Sequence, residues 1–517
     1  MTIDRRLFLK HAGTLAASAF LAPCTRVIAQ PRFTSDPFTL GIASGYPHSS
    51  GVTLWTRLAP RPLEGGGMPA AAVPVGWEVA TDEQFRSLVA RGTEQAVPAE
   101  AHTVHVDVAG LEPARWYWYR FTAGDARSRA GRTRTAPAPD AHAGRLRFAL
   151  ASCQQYEQGY YAAYRHMARE HLELVVHVGD YIYESSWGRD HVRKHGADQP
   201  YSLDEYRNRH ALYKSDLDLQ AAHAAFPWLV TWDDHEVQND YANDRSEDLA
   251  PRELFMARRA AGYRAYWEHM PLPRWARPQE TSMQLYSASA FGNLAQFCLL
   301  DARQHRAHQA CAREGRGGSN VVRAEDCPER RDPARSMLGH AQERWLHETL
   351  GRSRARWNLV AQQTLMSQSD RRAGPGHDFW TDGWDGYPEA RKRLLSSVSE
   401  QRVPNPVVIG GDIHMATVAD LRMDFDDARS PVVATEFVCP SITSHGPSRS
   451  RTEFLMQENP HIRFANGTQH GYAAFDLSHK RCVMRLRTVH TVADPAADIR
   501  NLAIFEIEDG VPGAHRA

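Results

Sequence analysis

The sequence is poor in cysteine and has no excess of charge of either sign. Seven cysteines in 517 residues are too few, and too widely scattered, for a disulfide scaffold. Lysine and arginine together number 61, as do aspartate and glutamate, so the chain lacks the basic excess with which a nucleic-acid-binding protein neutralises phosphates. A hydrophobic fraction of 42% and a charged fraction of 24% exclude a disordered chain and a multi-span membrane protein. The length predicts a globular protein of two or more domains.

The first residues have the pattern of an export signal. Arg5 and Arg6 precede a weakly apolar run at 12–22 that is too short for a permanent membrane span. We therefore predict a twin-arginine signal peptide at 1–29, and a periplasmic or secreted protein that meets the twin-arginine translocase during export. Two alternatives stay open: a basic N-terminal helix of the mature fold, and a lipid anchor at Cys24, although a proline before that cysteine is unfavourable for lipid attachment.

The chain divides into two regions of different pattern. Short alternating runs rich in β-branched and aromatic residues fill 38–135, which predicts an N-terminal β-sandwich domain at 30–140 that ends in a proline-rich linker. Strands then alternate with helices, and further strands follow towards the C-terminus. We therefore predict an α/β domain at 141–517, built as a two-sheet sandwich rather than as one doubly wound sheet.

Polar residues follow four of the predicted strands of this second domain directly. Their sequences are Ala151-Ser152-Cys153-Gln154, Val178-Gly179-Asp180-Tyr181-Ile182-Tyr183-Glu184, Thr231-Trp232-Asp233-Asp234-His235-Glu236 and Ile409-Gly410-Gly411-Asp412-Ile413-His414. Catalytic groups and ligands of α/β proteins collect at the carboxyl ends of strands, so these four ends are expected to converge. Together they supply carboxylates, imidazoles, a thiol and a phenol, which are the donors of a metal site.

Each strand end taken alone has an ordinary structural explanation. Gly179-Asp180 is a common turn, and Cys153 could be a buried core thiol. The third end is more informative, because burying several ionisable groups together is costly unless a cation compensates them. Asp412 and His414 are two residues apart, which points both side chains the same way on extended backbone. As a set, the four ends predict a dinuclear metal site.

These motifs resemble those of the alkaline phosphatase D (PhoD-like) family of the calcineurin-like metallophosphoesterase superfamily. The resemblance covers nearly the whole chain, and it includes the twin-arginine leader and the segments Phe38-Thr39-Leu40-Gly41-Ile42-Ala43-Ser44-Gly45 and Leu300-Asp301-Ala302-Arg303-Gln304. It implies a metallophosphoesterase α/β/β/α sandwich after an N-terminal β-sandwich. Typical superfamily members carry asparagine where this chain has Asp234, and histidine where it has Asp412. These departures make the second metal site richer in oxygen.

The resemblance implies a role for each residue of the first metal site. Asp180 would bridge the two metals, and Cys153, Tyr183 and His414 would complete a site for ferric iron, which suits thiolate and phenolate ligands.

The second metal site would be held by oxygen. The resemblance implies that Asp234 and Asp412 bind calcium there, with Asn239 as a further oxygen ligand.

Catalysis is implied for two more residues. His235 would act as general acid or transition-state stabiliser, and Arg303 would clamp a phosphate oxygen, unless it pairs with Asp301 for structure. The expected reaction is hydrolysis of a phosphate ester, monoester or diester, by a dinuclear metal-bound hydroxide. A phospholipase D-like phosphodiesterase acting on phospholipid is the alternative, and an exported binding protein without activity is a more remote one.

Two further features have predicted roles. Cys311 and Cys327 flank a Gly/Arg-rich stretch of a long insertion, and in an exported protein they are predicted to form a disulfide. The aromatic segment 379–387 is predicted either to line the substrate entrance or to pack on the body of the protein.

Overall fold

The computed structural model describes residues 32–517. The predicted signal peptide and Cys24 lie outside these residues. Among the helices of this range, none is both long enough and apolar enough to cross a membrane.

The N-terminal part of the described chain consists of strands. They are β1 (Ile42–His48), β2 (Gly51–Arg57), β3 (Val73–Ala80), β4 (Leu88–Ala96), β5 (Thr103–Ala109), β6 (Trp116–Ala123), β7 (Ala126–Arg127) and β8 (Gly131–Arg134).

Strands and helices alternate in the remainder. The strands are β9 (Arg145–Ala151), β10 (Leu174–His177), β11 (Pro227–Val230), β12 (Ser287–Phe291), β13 (Ala295–Leu299), β14 (Val321–Arg323), β15 (Trp357–Ala361), β16 (Asp378–Trp380), β17 (Pro406–Gly410), β18 (Ala416–Arg422), β19 (Val432–Val438), β20 (Ile462–Asn466), β21 (His470–Ser478), β22 (Arg481–Val489), β23 (Ile499–Glu508) and β24 (His515–Arg516). The helices are α1 (Ala162–Met167), α2 (Leu203–Lys214), α3 (Leu217–Ala225), α4 (Arg252–His269), α5 (His340–Gly351), α6 (Pro388–Glu400) and α7 (Arg449–Glu458).

Two large sheets organise the molecule. A ten-stranded sheet has the order β24-β23-β22-β21-β9-β10-β11-β1-β2-β5, and a seven-stranded sheet has the order β12-β13-β15-β17-β19-β18-β20. Aromatic contacts join them: Phe148 of β9 meets Phe297 of β13 edge to face with ring centroids 5.1 Å apart, and Phe437 of β19 meets Phe475 of β21 in the same way at 5.6 Å. The predicted mixed α/β class is confirmed.

The N-terminal strands belong to two sheets. β1, β2 and β5 extend the ten-stranded sheet, in which β1 runs parallel to β11. β3, β4, β6 and β7 form a smaller sheet, to which β8 adds by pairing with β6. Residues from both sides, such as Leu54 and Tyr119, share a core of their own. The strands of 42–134 therefore do not form a separate pair of sheets, because one side continues into the larger body of the protein.

One stretch that reads as a single helix is divided in two. The pattern over 203–225 predicts one continuous helix, whereas α2 ends at Lys214 and α3 begins at Leu217. The carboxylate of Asp216 accepts the backbone N–H groups of Asp218 and Leu219, so it caps α3 and stops the first helix. A capping box between Ser202 and Glu205 starts α2.

The long insertion and the aromatic segment are tied to the body. A disulfide joins Cys311 to Cys327, as predicted, and β14 within the insertion pairs with β16. In the segment 379–387, Trp384 and Tyr387 are buried in the core, whereas Trp380 is only partly buried. Most of this segment therefore packs on the body.

Candidate metal centre

The four polar strand ends converge at one edge of the two sheets. β9, β10 and β11 are neighbours in the ten-stranded sheet and run parallel, so Cys153, Asp180 and Asp234 emerge on the same side. β17 of the seven-stranded sheet brings Asp412 and His414 to them.

A thiol, a carboxylate and an imidazole meet first. The donor atoms of Cys153, Asp180 and His414 all lie within 4.8 Å of one another. Tyr183 donates its hydroxyl to Asp180 Oδ2 at 2.8 Å, and the hydroxyl oxygen of Tyr183 lies 3.0 Å from His414 Nε2. His414 Nδ1 is 3.1 Å from the carbonyl oxygen of His445, which fixes the ring so that Nε2 faces the cluster. The structure thus brings together all the residues predicted for the iron site.

Burial shapes the acid–base properties of this group. Burial, and after it the charge of Asp180, raises the pKa of the Cys153 thiol and of the Tyr183 phenol well above their usual ranges. Metal coordination is the usual way in which such buried ligands lose their protons.

Carboxylates form the other half of the centre. Asp180, Asp233 and Asp412 offer oxygens within 4.8 Å of one another, as do Asp180 and Asp234 with a ring nitrogen of His235. Asp180 belongs to both of these carboxylate groups and also to the group with Cys153 and His414. That is the position expected of a bridging ligand. Burial raises the pKa of Asp233 and Asp412, whereas for Asp234 the charges of Arg303 and His235 outweigh burial and lower it.

Arg303 lies among these carboxylates rather than beside Asp301. Its side chain is fully buried, with Nε 2.5 Å from Asp233 Oδ1, Nη2 3.5 Å from Asp234 Oδ2 and Nη2 2.9 Å from Asp382 Oδ2. Asp301 accepts the backbone N–H of Arg303 and the indole N–H of Trp232 instead. The guanidinium of Arg303 therefore does not pair with Asp301, and its structural partners are Asp233, Asp234 and Asp382.

The donor set fits a cation on two counts. Asp180, Asp233, Asp234 and Asp412 outnumber the two cationic groups beside them, Arg303 and His235, and buried negative charge without compensation is costly. One carboxylate oxygen on each of Asp180, Asp233 and Asp412 is buried without a hydrogen-bond partner among the described residues. Such oxygens are free to bind metal.

A carboxylate that the sequence did not single out orients His235. Glu184 Oε2 lies 2.6 Å from His235 Nδ1, and Glu184 Oε1 accepts the backbone N–H of Asn239 at 2.9 Å. Burial would lower the pKa of His235, but the charges of Glu184 and then Asp234 outweigh burial and raise it. The other ring nitrogen of His235, Nε2, is therefore available to interact with groups at the metal centre.

Asn239 has a side-chain partner in this structure. Its amide donates to Glu247 Oε1 at 3.1 Å, so its role as a metal ligand stays a prediction. Its neighbour Asp240 forms a further carboxylate group with Asp234 and Asp382, whose oxygens lie within 4.8 Å of one another.

The residues that sequence reasoning missed are distant in sequence or lie beside the predicted ones. Glu184 and Asp233 stand within the quoted motifs, but only the fold shows that one holds His235 and the other Arg303. Asp382 and Ser444, which donates to the Tyr183 hydroxyl at 2.8 Å, stand in no motif that pointed to the centre.

Similarities to known proteins extend over the whole chain. The sequence model described as PhoD-like phosphatase matches residues 148–486, and that of the PhoD-like phosphatase N-terminal domain matches residues 23–137. Alkaline phosphatase D of Bacillus subtilis (strain 168) is 45% identical over 531 residues, which cover 100% of this chain and 89% of that protein. A solved structure described as the structure of PhoD is 46% identical, with a TM-score of 0.90, over 94% of this chain and 93% of that one. The chain therefore belongs to the PhoD-like phosphatase family.

Proposed function

We propose that this chain hydrolyses phosphate esters, as an alkaline phosphatase of the D type, at a centre that pairs ferric iron with calcium. The observation that carries the proposal is the convergence of a buried thiol, phenol and imidazole with an excess of carboxylates around Asp180. Family membership and 45% identity to an alkaline phosphatase D support the reaction class.

The donor types suggest which metal each half would hold. Cys153, Tyr183 and His414 would bind iron, because ferric iron accepts thiolate and phenolate ligands.

The carboxylates would bind the harder cation. Asp234 and Asp412 would hold calcium, with Asp180 between the two ions. Asp240 and Asp382 would supply further carboxylate ligands if the centre holds more than two ions, and Asn239 is a proposed further ligand. When bound, such metals lower the pKa of water and stabilise negative charge on a phosphoryl group.

The protein residues supply orientation and a proton. We propose that His235, held through Nδ1 by Glu184, presents Nε2 to the leaving oxygen of the ester and donates a proton to it. Arg303 is engaged by three carboxylates, so we propose that it holds Asp233 and Asp234 in place rather than clamping substrate.

The first test is metal content together with turnover. The purified protein should contain iron and calcium and should release phosphate from 4-nitrophenyl phosphate. Asp180→Asn should lower both metal content and kcat by about 100-fold or more, because an amide cannot neutralise two cations. Asp204→Asn, at an exposed helix position, is the matched control and should change neither.

An Asp180→Asn protein with full metal content and full turnover would remove the bridging role. A wild-type protein without bound metal and without turnover would instead favour the non-catalytic binding protein.

The proposed metal centre does not by itself determine whether the chain prefers monoesters, diesters or phospholipids. A panel of a monoester, a diester and a phospholipid, assayed with the same preparation, distinguishes a phosphomonoesterase from a phospholipase D-like phosphodiesterase, since the same metals can serve either.

We further propose that the chain is exported by the twin-arginine route to the periplasm or beyond. Arg5 and Arg6 before a short apolar run support this. Replacing both arginines by lysine should retain the precursor in the cytoplasm, as measured by cell fractionation and blotting. Unchanged mature protein outside the inner membrane would rule out this route.

We also propose that residues 30–140 form an N-terminal β-sandwich domain, one side of which is the β1-β2-β5 end of the ten-stranded sheet, and that residues 141–517 form the catalytic α/β/β/α domain. The separate core that contains Leu54 and Tyr119 and the two large sheets support this division.

A further inference from the structure

A cavity of about 180 Å³ adjoins the metal centre. Ile413, which lies between Asp412 and His414 in sequence, forms part of its wall. The rest of the lining includes Thr364, Arg371, Trp380, Arg451 and Leu455. The cavity therefore borders the strand-end loop that supplies two of the proposed metal ligands, but it is a separate space.

Two arginines give this cavity an unneutralised positive charge. No carboxylate among residues 32–517 lies within 4.0 Å of the guanidinium of Arg371 or Arg451 in an ion pair. Asp385 also lines the cavity, but it is already paired with Arg391 at 2.7 Å. Burial, and after it the nearby charge of Arg451, lowers the pKa of Arg371.

A hydroxyl and apolar side chains complete the lining. Thr364 is 1% exposed, and its Oγ1 has no hydrogen-bond partner among the described residues. The guanidinium of Arg371 lies over the Trp380 ring at 5.3 Å from its centroid, and Leu455 adds an apolar surface. Two cations and a free hydroxyl suit an anion, and the apolar walls suit the carbon chain that carries it.

We propose that this cavity binds a second anionic group, a phosphate or a carboxylate, carried on the alcohol side of the phosphate ester substrate. The inference rests on the proposed phosphatase function. A cationic ligand would be repelled by the arginines, and a purely apolar ligand would leave them uncompensated. The reacting phosphoryl group belongs at the metal ligands on either side of Ile413, so the cavity is available for a different part of the substrate.

The experiment compares esters that differ only in the second anion. Monophosphates and bisphosphates of straight-chain alkanediols of increasing length, and the corresponding carboxyalkyl phosphates, are assayed by initial phosphate release. For the length that spans the two sites, kcat/KM per phosphate group should be about tenfold higher for the bisphosphate than for the monophosphate, as expected of about 1.4 kcal/mol of added binding. The carboxyalkyl series shows whether a carboxylate substitutes for phosphate.

Three variants test whether the two arginines cause the preference for a second anion. Arg371→Gln and Arg451→Gln should each bring the ratio of the two kcat/KM values close to one. Arg449→Gln is the matched control, because Arg449 lies on α7 with Arg451 but is exposed and pairs with Glu453. This variant should keep the wild-type ratio. If Arg371→Gln lowers the melting temperature strongly, Arg451→Gln still decides, since Arg451 is exposed at the surface of α7.

The outcomes separate this inference from the function on which it rests. A wild type that hydrolyses monophosphates but shows no preference for a second anion at any length overturns the inference and leaves the phosphatase function intact. A preference that survives both arginine variants also overturns it. A protein that hydrolyses none of the esters overturns both.

Discussion

Four residues of the centre hold an unfavourable backbone conformation. Cys153, Asp180, Asp412 and His414 have φ angles of 57°, 56°, 64° and 52°, in the left-handed region that non-glycine residues rarely adopt. Each such residue costs about 1–3 kcal/mol, and such residues persist where the surrounding structure holds them. In this protein all four follow strands of the two sheets, so the strands hold the chain while the strained residues turn their side chains toward one point.

Cys153 has the most plausible ordinary explanation of the four, because a buried thiol can serve packing alone. If it binds ferric iron, the pure protein should absorb visible light, and Cys153→Ser should shift or bleach that band. Serine has nearly the same size but rarely ionises, so iron affinity and turnover should fall by at least about tenfold. Absorption spectra, iron analysis and initial rates of the one variant measure this.

If Cys153 serves packing alone, Cys153→Ser should have the opposite effects. A structural cysteine would give modest destabilisation with unaltered colour and rate. Cys298→Ser is the matched control, because Cys298 is a buried free cysteine of β13 outside the centre. An unchanged spectrum in an iron-loaded Cys153→Ser protein would remove this residue from the site.

At the scale of elements, the approach of two strand-end loops fixes the distance between the two halves of the centre. A Cβ on Gly411 would lie 2.3 Å from Ser152 Oγ and 2.6 Å from Ser152 Cβ, closer than any real contact. Ser152 precedes Cys153 and Gly411 precedes Asp412. Glycine at 411 therefore allows the loop after β17 to come close enough to the loop after β9.

Gly411→Ala should force these two loops apart. We expect a loss of about 1–3 kcal/mol in the free energy of unfolding from the overpacking. We also expect turnover to fall by more than about tenfold, because small displacements of catalytic groups are costly. Gly144→Ala is the control, since a Cβ there meets nothing within 4 Å. Urea unfolding and phosphate release test both parts, and a Gly411→Ala protein that keeps wild-type rate would show that the contact is not needed.

Elements whose side chains are buried were predictable, and those with exposed side chains were not. β9 and β10 are apolar runs that end directly in polar residues, so the runs at 146–151 and 172–178 predict both strands within about two residues of their bounds. β4 has no such apolar run, because most of its residues are exposed or half-exposed, so the sequence alone does not mark its bounds. The side-chain partners Glu184 and Asp382 were missed because they depend on contacts between segments far apart in sequence, which local pattern does not encode.

At the scale of the whole molecule, the N-terminal strands and the rest of the chain share one sheet. β1 pairs with β11 through residues Ser44 and Gly45 opposite Pro227 and Trp228. Composition and alternation predicted strands in this region but could not show their partners, because pairing across 180 residues is non-local. A Cβ on Gly45 would lie 2.3 Å from the carbonyl oxygen of Pro271, so the close approach at this junction requires glycine.

A buried lysine lies at the same junction. Lys214, at the end of α2, places its ammonium 4.2 Å from the centroid of the Trp55 ring in β2 and 5.4 Å from that of Tyr181 after β10. Burial lowers the pKa of Lys214 from its ordinary value of 10.5 to about 7. The folded protein thus holds a charged lysine below about pH 7 only at an energetic cost.

The sign of the resulting pH dependence follows from proton counting. Between pH 7 and pH 10 the unfolded chain keeps a proton on Lys214 that the folded protein has released, so raising the pH favours folding over this range. Below pH 7 both states are protonated and the full cost remains. Lys214→Met removes the cost while keeping the length of the side chain. It should therefore raise the free energy of unfolding by about 4 kcal/mol at pH 7 and by about 1 kcal/mol or less at pH 10.

Urea unfolding of the wild type and Lys214→Met at a series of pH values measures this difference, in which the titration of all other groups cancels. Lys480→Met, in an exposed turn, should leave the free energy of unfolding close to wild type at each pH. A Lys214→Met effect of equal size at pH 7 and pH 10 would mean that the variant changes packing alone. An effect confined to neutral pH would show that the charge of Lys214, buried between the N-terminal strands and the sheet of the metal centre, destabilises the folded protein and ceases to do so in alkaline solution.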